Sequence, residues 1–285
     1  CMIWLTEHLE GPGAREAEMD SHVAVFRSVD RCFQTLAAWQ TRDKWMAAQP
    51  RQVSRVSPKE AAATAARLID ASKNKTLTER EAKEVLAAYG VPVVGERLVQ
   101  SANEAAVAAK ALGFPVALKV ESPDLPHKTE AGVIRLGMKN EVEVKAAYEA
   151  VMANAGKVSP KPRMNGVLVQ PMVSAGTEIM VGARIDPMFG PLIVAGLGGI
   201  LVELLKDTSV DLAPVNRAEA RDMLAGLKGQ AMLKGFRGSE PVDEEKLADI
   251  ICRLSEFADD QKDRIAELDV NPLICSGGRI TAVAA

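Results

Sequence analysis

The sequence predicts a mixed fold of the α/β or α+β class, and three observations support this prediction. Segments whose apolar residues recur at helical spacing alternate with short apolar segments that are typical of strands. The alternation is loose, so it does not describe a regular βαβ series. Turn signals at Asp186-Pro187 and at Ser276-Gly277-Gly278 predict hairpins, and a hairpin joins antiparallel strands.

The first fifty residues read as a separate unit. A short apolar strand at Cys1–Leu5 precedes a second one at Val23–Phe26, and a helix is expected from about Ser28 to Ala48. Fifty residues in this pattern cannot bury a core alone, so we expect the unit to pack on something else. The opening segment is either an ordinary first strand or a strand entered partway, and we expect further residues upstream.

Residues 51–77 are predicted to be a connector with one helix. Ser57 and Pro58 suit the cap and the first turn of that helix, and its Ala-rich body gives way to a polar linker at residues 72–75. A capping box formed by Thr78 and Glu81 then opens the next helix, and Gly90 ends it.

The remaining elements follow from the same signals. A second capping box at Ser101–Glu104 opens a helix that Gly113 ends, and further helices begin near Asn216 and Asp243, each with an acidic residue that favours the first turn. Strands are predicted at Val91–Val94, Val116–Val120, Val167–Val173, Glu178–Ile185, Leu192–Leu197 and Leu268–Cys275.

The composition excludes several classes of protein. Hydrophobic residues make up 47% and charged residues 26% of the 285 residues, as in a globular protein. A net charge of -3 gives no basic surface for nucleic acid. No apolar run approaches the ~18 residues of a membrane helix. The four cysteines lack metal-ligand spacing, so we expect free thiols in a reducing cytoplasm.

Lys119 interrupts the apolar strand Val116–Val120. A buried ammonium group needs an anion, and phosphate is the obvious candidate. The alternative is an edge-strand lysine whose side chain reaches water, and the spacing favours neither. The loop that follows holds His127 and Lys128 and ends at Gly132. A histidine there could handle a phosphoryl group, although a lone histidine is more often structural or merely exposed.

Glycines cluster at Gly196, Gly198 and Gly199, after an apolar strand. They would allow the backbone to approach a phosphate closely, and the alternative is a tight turn between strands. Glu203 follows in an apolar context, from which a carboxylate could position a metal ion, a water or an imidazole.

Polar and apolar residues alternate along the last predicted strand but one. Period two places Glu267, Asp269 and Asn271 on one face. Oxygen ligands at this spacing suit Mg²⁺ that is bound together with substrate phosphates. The alternative is a solvated strand face, which fits poorly because the apolar residues around these positions predict a central strand.

Six segments, taken in order, resemble the ATP-grasp domain of NDP-forming (ADP-forming) acyl-CoA synthetases, which is similar to the β subunit of succinyl-CoA synthetase. The resemblance covers residues ~78 to 285 and is specific because the six segments occur in the family's order. They are P-V-A-L-K-V with S-P-D-L-P-H-K-T-E-A-G, V-L-V-Q-P-M-V, E-I-M-V-G-A-R-I-D-P-M-F-G-P, G-L-G-G-I-L-V-E, L-K-G-F-R-G and A-E-L-D-V-N-P-L.

A second resemblance concerns residues 1–45. The string V-A-V-F-R-S-V-D-R-C-F-Q-T-L-A-A-W is similar to the end of the CoA-ligase (α-like) portion that precedes the ATP-grasp domain in fused members. The resemblance implies a remnant of a flavodoxin-like CoA-ligase domain at 1–50, a linker helix at 51–77 and an ATP-grasp fold at 78–285, with a lid subdomain at about 97–168.

The resemblance also implies a role for individual residues. Lys119 matches the lysine that contacts nucleotide phosphates, and the loop through Gly132 matches the loop that covers them. Glu178 matches the acidic residue near the ribose. The other implied positions are Gln170, Met172 and Val173 at the adenine, Asp269 and Asn271 at Mg²⁺, Glu203 near phosphoryl transfer, and His127 as the histidine that helps to relay phosphate.

Two departures from the family weaken the expected activity. Relatives usually end the last strand in a pattern like A-V-D-A, whose Asp also serves the metal, but this chain has Ala284. Many relatives carry Arg where this chain has Asp211. Both departures put full catalytic competence in doubt, and nucleotide binding less so.

The resemblance implies a ligase that couples acyl-CoA formation or cleavage to ATP/ADP turnover, with Mg²⁺ in the nucleotide site and CoA bound by the upstream portion. This chain alone is expected to bind ADP or ATP without turnover. One rival is a regulatory nucleotide-binding module of a fused acetyltransferase-like protein. Another is an ATP-grasp carboxylate–amine ligase, against which residues 22–39 argue. Self-association is left open.

Overall fold

The computed structural model describes residues 1–3, 11–47, 53–72, 74, 76–125, 131–199, 207–235 and 240–285. The chain divides into two compact units, Cys1–Gln52 and Val53–Ala285. No helix in the described ranges is long and apolar enough to cross a membrane.

The first unit is small and poor in core. Strand β1 (Met2–Ile3) pairs in parallel with β2 (Val25–Phe26), and the helices α1 (Ala14–Met19) and α2 (Val29–Ala47) follow these strands in turn. Large apolar side chains of α2 are exposed, among them Phe33 and Trp39. This exposure agrees with the expectation that the unit cannot bury a core by itself.

The second unit opens with two helices, α3 (Ala61–Ala71) and α4 (Glu79–Ala88). The predicted capping box of α4 is confirmed, because Thr78 and Glu81 exchange both hydrogen bonds. The predicted start of α3 at Ser57 is wrong. The helix begins at Ala61, and Ser57 does not cap it: the Ser57 hydroxyl has no hydrogen-bond partner among the described residues, and the Ser57 N–H donates to the carboxylate of Glu256 at 2.9 Å.

A four-stranded antiparallel sheet is built from β3 (Arg97–Val99), β4 (Val116–Glu121), β5 (Ile134–Met138) and β6 (Gly166–Pro171), in the order β3-β6-β4-β5. Helices α5 (Ala102–Leu112) and α6 (Glu141–Ala155) cover one face of it. The apolar residues on this face form a core with the helices, and they include Val116, Leu118, Val120, Val167 and Val169.

A five-stranded antiparallel sheet follows in the chain. Its strands are β7 (Thr177–Asp186), β8 (Gly190–Leu197), β9 (Thr208–Leu212), β10 (Glu267–Ser276) and β11 (Arg279–Ala282), in the order β11-β10-β7-β8-β9. Helices α7 (Arg217–Ala225) and α8 (Glu244–Asp260) pack on one face, together with apolar residues of α3 and α4. Both predicted hairpins are confirmed as the β7–β8 and β10–β11 turns.

The helix caps agree with the sequence except at α5. Asn216 and Asp243 cap α7 and α8 as predicted. Ser101 caps α5, but the carboxylate of Glu104 accepts from the N–H of Gln100 rather than from that of Ser101, so the predicted box is incomplete.

The predicted strand at Val91–Val94 is wrong. The structure shows only an isolated bridge between Val93 and Ala282. Ala282 donates to the carbonyl of Pro92 at 2.8 Å and accepts from the N–H of Val94 at 3.0 Å. Proline has no N–H to extend this pairing into a ladder.

Candidate functional site

Lys119 lies inside the four-stranded sheet. Its strand β4 is flanked by β6 and β5, so the interpretation of Lys119 as an edge-strand lysine is wrong. The register pairs Ala117 with Gln170, which places Lys119 and Gln170 on the same face because alternate residues of a strand share a face. This face is opposite the apolar core under α5 and α6. Lys119 is 5% exposed there.

The ammonium group of Lys119 meets two acceptors from other parts of the second unit. Its Nζ lies 2.8 Å from Oε1 of Glu79, the first residue of α4, and 3.3 Å from the carbonyl oxygen of Val283, just after β11. Through these contacts, Lys119 connects the four-stranded sheet to α4 and to the segment that follows β11, the last strand of the five-stranded sheet.

A second lysine extends this arrangement. Nζ of Lys83 lies 2.8 Å from the same Oε1 of Glu79, 2.7 Å from Oε2 of Glu96 and 3.3 Å from Oε1 of Gln170. Glu79, Lys83, Glu96, Lys119 and Gln170 form what we call the buried charged cluster. Each of their side chains is less than about a tenth exposed, which removes most of the water that would otherwise screen the charges.

Burial of so many charges is costly unless they are paired with good geometry. Desolvation raises the pKa of Glu96 above its ordinary value, and the positive charge of Lys83 opposes this shift. Lys83 therefore favours the ionised form of Glu96. Such pairing does little for stability by itself, which makes a functional reason for the cluster attractive.

Glu121 lies beside the cluster, on the same face of β4 as Lys119. Its side chain is fully buried, and neither carboxylate oxygen has a hydrogen-bond partner among the described residues. Nε of Arg80 lies 3.2 Å from Oε1 of Glu121, which compensates the charge. Burial lowers the pKa of Arg80, but the carboxylates of Glu121 and Glu84 more than offset this and the net shift is upward.

The predicted adenine segment leaves the sheet next to the cluster. Gln170 is buried at the end of β6, whereas Met172 is exposed and Val173 is half-buried. The N–H of Met172 donates to the carbonyl of Pro115 at 2.9 Å, which fixes the backbone as it leaves the strand. Gln170 thus joins this segment to Lys83, and so to Glu79 and Lys119.

The glycines after β8 pack directly on Glu178. The N–H of Gly198 donates to the carbonyl of Glu178, and a Cβ at Gly198 would come within 2.9 Å of Glu178 backbone and Cβ atoms. Gly199 has φ +65°, and a Cβ there would lie 2.8 Å from Oε2 of Glu178. This contact explains why side chains are excluded at both positions. The exposed carboxylate of Glu178 lies at this turn.

Asp269 and Asn271 lie on β10, which runs between β11 and β7 as expected of a central strand. Both are exposed, whereas Val270 between them is buried. The register shifts by one residue between Val270 and Leu273, so Asn271 lies within the bulge and Asp269 just before it. Gly182 stands opposite Asp269 and leaves the carboxylate uncovered by any side chain from that position.

The oxygen donors at this position fit a magnesium ion that shares its ligands with a bound phosphate. Within the described ranges, no group of three His, Cys, Asp or Glu residues could hold a metal ion alone. The pKa of Asp269 is raised, first because neighbouring protein atoms displace some of the water around its otherwise exposed carboxylate, and then because Glu267 lies nearby. Both causes disfavour the ionised carboxylate, so a bound cation would stabilise it. Mg²⁺ rarely takes an all-protein cage, so two donors suffice if phosphates supply the rest.

Val283 connects Lys119 to the strand segment that carries Asp269 and Asn271. Its carbonyl accepts from Lys119, and its N–H donates to the carbonyl of Pro272 at 3.0 Å, one residue after Asn271. Ala284 follows directly. Lys119 and the predicted metal residues Asp269 and Asn271 therefore both lie near the segment that follows β11.

Other predicted site residues are placed differently. His127 and Glu203 lie outside the described residues. Gly132 has φ +64°, and its carbonyl accepts from Nδ2 of Asn154 at 3.0 Å and from Arg135 at 3.3 Å. These bonds tie the base of the loop to α6.

Sequence reasoning did not find Glu79, Lys83, Glu96 or Glu121. Glu79 and Lys83 have the i, i+4 spacing of an ordinary surface ion pair, and Glu79 also suits the first turn of a helix. The available signal was their position beside the apolar stripe of α4. Only the neighbouring sheet shows that this side of α4 is covered.

Comparisons with known proteins agree with this arrangement. A family model described as an ATP-grasp domain matches residues 69–285. The β subunit of acetate–CoA ligase [ADP-forming] II of Pyrococcus furiosus is 42% identical over 197 residues, which covers 69% of this chain and 84% of the relative. The 4-hydroxybutyrate–CoA ligase [ADP-forming] of Nitrosopumilus maritimus is 39% identical over 93% of this chain, and the chain spans only 38% of that longer relative.

Solved structures give the same result. PH1788 from Pyrococcus horikoshii matches with a TM-score of 0.74 and 40% identity, covering 79% of this chain and 96% of that one. The dinucleotide forming acetyl-coenzyme A synthetase 1 of Ca. Korarchaeum cryptofilum, in complex with coenzyme A, Ca-AMPCP and HgCl+, matches with a TM-score of 0.71 and 38% identity, covering 73% and 90%.

The relatives named above are CoA ligases, so the interpretation as a regulatory module receives no support from them. The family match, the two-sheet architecture and the identity to these ligases point the same way. The chain belongs to the ATP-grasp domain family, as found in ADP-forming acyl-CoA synthetases.

Proposed function

We propose that this chain supplies the nucleotide side of an ADP-forming acyl-CoA synthetase. The observation that carries the proposal is Lys119, a cation on an internal strand, whose side chain is buried among groups that converge from α4, β6 and the end of β11. Phosphoryl transfer depends mainly on positioning and charge neutralisation, and this arrangement offers both.

Lys119 is proposed to neutralise nucleotide phosphates. The antiparallel pairing on both sides of β4 fixes its backbone, and the carbonyl of Val283 orients its ammonium group at 3.3 Å. A charge-assisted contact to phosphate gains strength where water is excluded.

Gln170, Met172 and Val173 are proposed to contact adenine, and Glu178 the ribose. The bond between the N–H of Met172 and the carbonyl of Pro115 holds this segment in place at the end of the sheet. The glycine turn holds the backbone of Glu178 through the N–H of Gly198. Both hydrogen bonds hold backbone directly after a strand, at the ends of β6 and β8, which suits a site that must be positioned accurately.

Asp269 and Asn271 are proposed to hold Mg²⁺ jointly with the nucleotide. When bound, the ion would neutralise charge that develops on the transferred phosphoryl group. The chain's own part is to present two exposed oxygen donors on β10, near Val283, whose carbonyl contacts Lys119. Ala284 offers no ligand, so the affinity of the site for Mg²⁺ is expected to be low.

The phosphohistidine relay and the acyl-CoA chemistry are also proposed. The upstream portion converts acyl-CoA and phosphate to an acyl phosphate and CoA. A histidine accepts the phosphoryl group, releasing the carboxylate, and ADP then receives it to give ATP. His127 and Glu203 are proposed to act at the last transfer. One Korarchaeum structure is described with a phosphorylated phosphohistidine segment, which supports this route for the relative.

The proposed domain division is the one that the family resemblance implies. Residues 1–50 are proposed to be a CoA-ligase remnant and 51–77 a linker, followed by the ATP-grasp domain at 78–285 with its lid at about 97–168. The alignment with the longer Nitrosopumilus ligase covers 268 residues, more than the second unit holds, so it extends into the first unit. The free thiols favour a cytoplasmic location.

Calorimetric titration with ADP tests the proposal. The parent should bind ADP. Lys119→Met should weaken binding at least tenfold, because a charge-assisted bond is worth about 1.5–3 kcal/mol. Lys110→Met is the matched control, since the Lys110 side chain is 75% exposed on α5 and should leave the affinity unchanged. Equal affinities in all three proteins, with intact circular dichroism, would refute the role of Lys119.

A turnover assay tests the division of labour. This chain alone should not release CoA from acyl-CoA in the presence of ADP and phosphate, whereas the full enzyme should. Robust turnover by this chain alone would contradict the proposed dependence on the upstream portion.

A further inference from the structure

One carboxylate oxygen in the buried charged cluster serves both lysines. Oε1 of Glu79 lies 2.8 Å from Nζ of Lys119 and 2.8 Å from Nζ of Lys83. Glu79 is the first residue of α4, and its side chain is only 3% exposed. An anion therefore already stands at the ammonium group that is expected to meet phosphate.

Among the residues that the structure describes, the cluster has two negative and two positive side chains. It contains the carboxylates of Glu79 and Glu96 and the ammonium groups of Lys83 and Lys119. A phosphate oxygen that reaches Lys119 would add negative charge to a group from which water is largely excluded. Like charges at short range in such surroundings repel strongly, so phosphate and the Glu79 carboxylate cannot both contact Lys119 without cost.

We propose that Glu79 is a built-in competitor of the nucleotide, holding Lys119 by the 2.8 Å ion pair when no phosphate is present and yielding it when phosphate binds. This inference rests on the proposed function, because it takes Lys119 as the phosphate-binding lysine. The competition weakens nucleotide affinity. In return, Lys119 keeps a charged partner after the nucleotide leaves, which favours release of product.

Glu96 provides the comparison that isolates this effect. It is a second buried carboxylate of the same cluster, but its Oε2 lies 2.7 Å from Lys83. Glu79→Gln and Glu96→Gln each remove one negative charge from the same surroundings. Only Glu79→Gln removes the anion bonded to Lys119 in the contacts described above. A general effect of the electric field would change both variants alike, whereas competition for Lys119 would not.

The experiment measures the dissociation constant of ADP by calorimetry for the parent, Glu79→Gln, Glu96→Gln and Glu84→Gln. Glu84 lies on the same helix with an exposed side chain paired to Arg80 at 2.8 Å, so its variant controls for the substitution itself. We expect Glu79→Gln to bind ADP about tenfold more tightly, Glu96→Gln to gain clearly less, and Glu84→Gln to match the parent.

Thermal unfolding separates this role from a structural one. Without ADP, Glu79→Gln should melt at a lower temperature than the parent, because two buried ammonium groups lose the negative charge that they share. A purely structural role would lower both the melting temperature and the affinity. If Glu79→Gln does not fold, Glu79→Asp replaces it, since the shorter side chain withdraws the carboxylate from Lys119 while keeping its charge.

The outcomes distinguish the inference from the proposed function. If the parent binds ADP and the Glu79 variants bind it equally or more weakly, the competition is refuted and the nucleotide site stands. An equal gain in Glu79→Gln and Glu96→Gln refutes it too. Binding by a Glu79 variant but not by the parent supports it. If no variant binds ADP, the proposed function fails and the inference with it.

Discussion

Replacing Lys83 by Met should destabilise the second unit in a way that depends on pH. Lys83 donates to Glu79, Glu96 and Gln170 and is 3% exposed, so methionine preserves most of the packing and removes only the charge and its bonds. Glu96 would lose the partner that Lys83 provides at 2.7 Å. Removing one partner of a buried ion pair costs about 3–5 kcal/mol.

The sign of the pH dependence follows from Glu96. Its pKa is already raised in the folded protein by burial, and Lys83 is the main opposing influence. A carboxyl group with a raised folded pKa favours folding at pH below its unfolded value of about 4.3, and this contribution is lost as pH rises through the folded pKa. Without Lys83 the folded pKa rises further. The loss of stability in Lys83→Met should therefore be largest at pH 8 and smaller near pH 5.

Urea unfolding of the parent and Lys83→Met at about pH 5 and pH 8 measures this difference. The double variant Lys83→Met/Glu96→Gln is the control, because it removes the carboxylate that would otherwise be left without Lys83. It should regain part of the stability at pH 8. An equal loss at both pH values, or no recovery in the double variant, would show that the cluster does not behave as a set of coupled buried charges.

Three further predictions concern separate parts of the structure. Arg163 bonds the exposed Asp124 and holds its pKa at about 2, so this pair should stabilise the fold above about pH 4 and cease to do so as pH falls toward 2. An NMR titration should show the pKa of Asp124 rising in Arg163→Ala, and an unchanged value would contradict the assignment. Gly198→Ala should lower the free energy of unfolding by about 1–3 kcal/mol, because the added Cβ overpacks against Glu178. Gly95→Ala is the control and should cost little, because a Cβ there meets no atom within 4 Å. Equal melting temperatures of the two variants would refute this prediction. Asp269→Asn should reduce the dependence of ADP affinity on Mg²⁺, and an undiminished dependence would place the metal elsewhere.

Helix caps and hairpin turns were predictable from the sequence, because each depends on residues that are close together in the chain. The boxes of Thr78 with Glu81 and the cap at Asn216 appear as predicted, because a cap needs only residues within one helical turn. The hairpins at Asp186 and Gly277 were likewise predictable from turn residues. The segments that resemble ATP-grasp motifs gave the family, which the comparisons confirm.

Strands with weak apolar patterns could not be found in this way. β5 and β9 are edge strands of their sheets, and large apolar residues on them such as Leu136 and Val210 are exposed, so apolar residues do not mark a buried face there. The bridge of Val93 replaces the expected strand, since pairing depends on where Ala282 lies, far along the chain. Strand pairing is a long-range property, so a local pattern gives only the propensity for it.

The sequence by itself determined that Lys119 is a cation within an apolar strand, but it left an edge position and a buried one equally open. The tertiary structure decided between them by placing β4 between β5 and β6. It also brought Glu79 to 2.8 Å from Lys119, across forty positions of sequence. Glu79 and Lys83 have the spacing of a surface pair, and only the sheet packed against α4 excludes water from them. A buried charge must be paired with an opposite charge or a hydrogen-bond partner, and whether a side chain is buried depends on neighbours that are remote in the chain.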